Sequence, residues 1–192
     1  MLLTKQILKN YRASSECIVW YTSNDEPDSV EETIEKLLSS DEHKKFGWSN
    51  WLLSRVLPLD DKIRYTIFAA ELVIDIFEKE FPEDKRPRNV IETVREYLLN
   101  KDDAMAREVA RAANEATSVA DHAVTTVTDA AYAAAYAVDY VVYVAREADA
   151  AREAGAAYAA ARAADYMARA TADADVTYTK IINYGLSLLK SK

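Results

Sequence analysis

The stretch AAYAAAYAVDYVVYVAREADAAREAGAAYAAARAADYMARA, residues 130–170, decides the class of this protein. It is the centre of a longer run, Ala104 to Ala174, in which about 30 of some 70 residues are alanine and glycine and proline are almost missing. Alanine has the highest helix propensity, and nothing here competes with a helix. Read in steps of four and three, Ala106, Ala110, Ala113, Thr117, Ala120, Val124, Val127, Ala131, Ala134, Val138, Val141, Ala145 and Ala148 form a small-residue seam that repeats every seven residues. After Gly155 a second seam runs Ala156, Ala160, Ala163, Met167, Ala170, Ala174, Thr177, Ile181, Tyr184 and Leu188. Two seams around a glycine predict a helical hairpin. Unbroken from Asp103 to Glu153, the first helix would be about 75 Å long, so a break is expected near Thr117, with a restart near Val119. The final helix is expected from Ala156 to Leu189, bent near Asp175.

Outward from this run, the remaining chain also reads as helices. The composition of 192 residues includes four prolines and three glycines, and no alternating β-branched segment supplies a sheet. Thr4 and Ser14 or Ser15 are placed to cap two short N-terminal helices, and TSNDEPDS at 22–29 reads as a loop with Pro27 in the first turn of the next. VEETIEKLL from Val30 is amphipathic, and Asp41 is expected to cap a helix through Phe46, Trp48 and Trp51 to Val56. Ile63, Ile67, Ala70, Ile74 and Phe77 predict one five-turn helix that Pro82 stops. A turn at EDKRP, a helix opened by Pro87 and an end near Asn100 follow. The expectation is an all-α protein forming a single domain, 1–192: an N-terminal multi-helix lobe, 1–101, packed on a long Ala/Tyr-rich helical hairpin, 102–192.

Charge and chemistry exclude more than they select. The net charge is −8, shared between 15 basic and 19 acidic residues up to Lys101 and 9 and 13 after it, so no basic patch suits nucleic acid. A single cysteine, Cys17, excludes an internal disulfide and reads as a buried small side chain in a cytoplasmic protein. The most apolar window, from Asp129, is too short to span a bilayer and carries Asp139, so no membrane partner is expected. His43 and His122 are the only histidines, neither at metal-ligand spacing, and Gly47, Gly155 and Gly185 stand alone, so no metal, cofactor or catalytic motif is legible.

Two constellations stand out. Glu115, His122, Asp129, Tyr136 and Tyr143 recur every seven residues opposite the seam; His122, Asp129, Tyr136 and Tyr143 are the candidate partner-binding stripe, and the competing reading is that Tyr132, Tyr136, Tyr140 and Tyr143 pack beneath the N-terminal helices. Lys85, Arg86 and Arg88 gather at a helix start and are a candidate anion-binding site, or else they pair with Glu83, Asp84 or Glu92 and pin the turn. The alanine seams would also permit homo-oligomers.

The run IRYTIFAAELVIDIFEKEFPEDKRPRNVIETVREYL, Ile63 to Leu98, carries Ala69, Ala70 and Glu71, then Asp84, Arg86, Pro87 and Arg88, then Ile91, Glu92, Arg95 and Tyr97. With the alanine- and tyrosine-rich tail behind it, this run resembles the all-helical immunity proteins of bacterial polymorphic-toxin systems and similar uncharacterised bacteriophage proteins. The resemblance implies a helical cytoplasmic protein that neutralises a toxin or defence effector by binding it, and it implies no active site. Sequestration of an anionic nucleotide and, behind it, acidic mimicry of nucleic acid are the alternatives.

Overall fold

The computed structural model describes residues 1–100, Glu108, Arg111, Arg162, Thr171 and 173–191. The stripe at His122, Asp129, Tyr136 and Tyr143, both alanine seams up to Ala170, the hairpin and the expected break near Thr117 lie outside the described residues. Among the described residues the fold is all-α: α1 Lys5–Asn10, α2 Ser15–Ser23, α3 Val30–Ser39, α4 Lys45–Val56, α5 Leu59–Glu71, α6 Ile74–Glu80, α7 Arg86–Leu99 and α8 Ala174–Lys190. An isolated antiparallel bridge, Leu2 to Ser29, ties the start of the chain to the start of α3.

The helix starts follow side-chain caps. Thr4 Oγ1 accepts from the Ile7 amide at 3.2 Å, Ser14 Oγ from Cys17 at 3.2 Å, Ser29 Oγ from Glu32 at 3.0 Å and Asp173 Oδ1 from Val176 at 3.1 Å. Each satisfies one amide that the first turn leaves without a partner. At the end of α1 the Arg12 amide donates to Lys9 O and the Ala13 amide to Leu8 O, both at 2.9 Å. This double bond pattern closes a helix through a left-handed residue, and here that residue is Arg12, with φ 61°.

Four boundaries differ from the sequence expectation. The predicted helix through Ile63 to Phe81 is two helices, because the Val73 amide turns back to Ala70 O at 3.1 Å and Val73 takes φ −128°. No proline or glycine marks this break; it is set by burial, with Val73 wholly inside and Ile74 and Phe77 nearly so. Asp41 caps nothing: α4 begins at Lys45, and the preceding turn is held by Glu42, whose Oε1 accepts from the Lys44 amide at 3.0 Å. Pro27 precedes α3 instead of opening it, and its carbonyl lies 3.0 Å from the buried Tyr21 hydroxyl. In place of a bend near Asp175, α8 has its own start, with Asp173 as its N-cap.

The core gathers Ile34 from α3, Leu52 and Leu53 from α4, Ile63 and Tyr65 from α5, Phe77 from α6, Val90 and Val94 from α7 and Ile181 and Ile182 from α8. Helix α5 is enclosed on most of its circumference, with Arg64, Phe68 and Glu71 on its less buried side. Helix α8 packs on α4 and α5 and touches α3. Its closest approach is at Gly185, where a Cβ would stand 2.8 Å from Leu53 Cδ1 and 2.8 Å from Tyr65 Cε2. Tyr65 cannot move aside easily, since its hydroxyl donates to Asn50 Oδ1 at 2.9 Å inside the core.

Gly185→Ala is therefore expected to destabilise the protein by about 1–3 kcal/mol, the usual cost of overpacking, despite the better helix propensity of alanine. Urea melts of the two proteins would check the sign. At Arg12 the opposite holds: Arg12→Gly relieves a left-handed non-glycine residue and should raise stability by about 1 kcal/mol.

Candidate contact site

Helix α2 carries Ile18, Val19, Trp20 and Tyr21 in succession, so apolar side chains point all round a nine-residue helix and some must face outward. Cys17 and Tyr21 go inward. Val19 is 62% exposed, and Trp20 is half-buried against Trp48 of α4, with ring centroids 6.4 Å apart and planes tilted by 57°. Ser15, Glu16, Val19, Trp20, Glu42, His43, Lys44 and Trp48 enclose a groove between α2 and the turn before α4.

The groove continues over the start of α4. His43, Lys44 and Trp48 also line a second depression with Phe46, Gly47, Asp175 and Tyr178. Phe46 stacks on Tyr178 at 5.2 Å with near-parallel rings, so α8 supplies one wall. Gly47 has open space over its Cα, which keeps the passage between the two aromatic pairs clear.

Charge frames these rings. The Lys44 ammonium bonds the Glu16 carboxylate across the groove and holds that carboxyl below its usual range, chiefly through the hydrogen bond. His43 Nδ1 lies 3.0 Å from Glu42 Oε1. The lining carries the carboxylates Glu16 and Glu42 and the ammonium of Lys44 around an apolar centre, which suits a partner bringing an apolar side chain flanked by polar groups.

The predicted basic cluster is brought together, but each member faces carboxylates. Arg86 Nη2 meets Asp84 Oδ2 at 2.6 Å, Arg88 Nε meets Glu78 Oε1 at 2.6 Å, Arg88 Nη2 meets Asp75 Oδ1 at 3.1 Å, and Lys85 Nζ stands 3.9 Å from Glu78. The bonds from Arg88 lower the Glu78 pKa and raise its own. This arrangement clamps α6 to α7. Two of its acids, Glu78 and Asp75, sit on α6, which sequence reasoning looked past in favour of Glu83 and Glu92.

Other titratable groups serve the interior. Burial pushes the Cys17 thiol up to about 11, away from thiolate chemistry. Burial likewise raises the pKa of the Tyr65 hydroxyl, which is spent on Asn50. Among the described residues no three His, Cys, Asp or Glu side chains are grouped to hold a metal, and no helix is long and apolar enough to cross a membrane.

No family profile, curated protein or solved structure matches this chain.

The clamp has a pH signature. A carboxyl whose folded pKa is lowered contributes stability that is complete above its unfolded value, about 4.3, and fades as pH falls through the folded value. Glu78→Gln should thus cost under about 1 kcal/mol at neutral pH, since the pair is partly solvated, and the difference should vanish in acid. Thermal melts of both proteins from pH 7 to pH 2.5 would check it.

Proposed function

We propose that this protein acts by contact, as a binder of immunity or counter-defence type that neutralises a toxin or defence effector without catalysing a reaction. The observation that carries this reading is the aromatic groove, in which the exposed Val19 and the half-buried Trp20 and Trp48 lie beside the Glu16–Lys44 pair. Tryptophan is over-represented among residues that dominate binding energy, because a rigid ring offers much apolar area at small entropic cost. The groove rests on α2 and α4, so its rings are held in place before a partner arrives, which lowers the cost of ordering them. The resemblance at Ile63 to Leu98 points the same way. The stripe at His122, Asp129, Tyr136 and Tyr143 belongs to this proposal as a second surface.

Val19→Asp tests it cleanly, because the side chain is exposed and its loss should leave the melting temperature within a degree or so. A partner protein retained by the wild type and by an α6 control, Lys79→Ala, should be lost with Val19→Asp. Trp48→Ala should weaken the purified complex by about 2 kcal/mol or more. Retention of the same partner by both groove variants would overturn the site. Turnover of a nucleotide, ester or peptide by the purified protein, abolished by one substitution that leaves it folded, would overturn the function.

A further inference from the structure

On the side of the molecule formed by α5, α7 and α8, a cleft of about 440 Å³ is lined by Arg64, Ile67, Phe68, Glu71, Arg95, Leu98, Leu99 and Tyr184. Its floor is apolar: Phe68 and Tyr184 stack at 4.2 Å, with Ile67 and Leu98 beside them. Its rim carries two guanidinium groups from different helices, both well exposed, with side-chain exposures of 42% for Arg64 and 53% for Arg95. Arg64 Nη1 bonds Asp61 Oδ1 at 2.9 Å, and Arg95 Nη2 meets Glu71 Oε1. A guanidinium has five donors in a planar fork, and one carboxylate oxygen occupies only a small part of it. The Tyr184 phenol feels all four of these charges, and burial raises its pKa, so it stays a neutral donor at the floor of the cleft.

The volume falls within the range of small-molecule sites, and an apolar floor with a few convergent polar groups is their usual make-up. We propose that this cleft binds a small amphiphilic carboxylate, its apolar chain or ring lying on Phe68, Ile67 and Leu98 and its head group held by Arg64 and Arg95. A carboxylate fits because its two acceptors match a guanidinium fork. Asp61 and Glu71 each engage one of these arginines and Glu71 also lines the cleft, so the head group would be held through the donors these acids leave, of which an uncharged amide would use fewer. The cleft stands apart from the aromatic groove, sharing no lining residue with it, so the proposal is independent of the contact reading.

The three tryptophans lie outside the cleft, so the test reads methyl groups. Protein labelled at isoleucine and leucine methyls is titrated with octanoate and, separately, with octanamide. Octanoate should shift the Ile67, Leu98 and Leu99 methyl signals saturably and bind about tenfold more tightly than octanamide, a difference of about 1.4 kcal/mol. Arg95→Gln should remove that preference and leave octanamide binding unchanged. Arg95→Lys, which keeps the charge and loses the fork, should recover only part of it. Equal affinity for the two probes, an unchanged octanoate affinity in Arg95→Gln, or no methyl shift at millimolar probe would overturn the proposal.

Discussion

The described structure depends on one close approach, the seat of Gly185 against Leu53 and Tyr65. A helix near the end of the chain can lie on α4 and α5 only where a residue without a side chain meets the ring of Tyr65. Ile181 and Ile182, one turn earlier, are then driven fully into the core, and Leu186 follows nearly as far. Tyr65 serves as a firm seat because its hydroxyl is anchored on Asn50, so the contact between α8 and α5 is also a contact with α4. One wall of the aromatic groove and one wall of the cleft come from Tyr178 and Tyr184 of the same helix. The cleft and the depression that continues the groove thus depend on the seating of α8.

The interior around α4 and α5 holds several polar side chains. Ser49, Asn50, Ser54, Asp61, Lys62, Thr66 and Thr177 are all buried. Thr66 Oγ1 donates to Lys62 O at 2.8 Å and Ser54 Oγ to Trp51 O at 2.7 Å, so several of these hydroxyls are satisfied by the helix they belong to. Side chains bonded in this way cost little to bury. The bond that resists a slide of α5 past α4 is the one between them, from the Tyr65 hydroxyl to Asn50 Oδ1, because a shift would break it inside a region closed to water.

The two surface features divide by chemistry. The aromatic groove presents broad rings on rigid helices, with its nearest ammonium already engaged, and suits a protein surface better than a small ion. The cleft on the other helices combines a narrow apolar floor with arginines whose donors exceed their acceptors. Beside these, the basic cluster at the start of α7 is a structural clamp, since its charges are spent on Asp84, Glu78 and Asp75.

The sequence by itself determined the helical class, the cap at Thr4, a second cap at Ser14 or Ser15, the proline start of α7 and the close of α7 at Asn100. Each rests on propensity or on hydrogen bonds between residues three or four apart, which any reader of the chain can see. The buried face of α3 was legible for the same reason, because its period is local. Only the tertiary structure decided the break at Val73, the late start of α4, the partners of Arg88, the seat of Gly185, the outward turn of Val19 and the half-buried place of Trp48 against Trp20. These depend on which helix arrives opposite, more than a hundred residues away in the case of Gly185, and no local spacing records that arrival. A tryptophan in an apolar run looks the same whether it fills a core or lines a groove; the neighbour that covers it, or leaves it open, is fixed by packing.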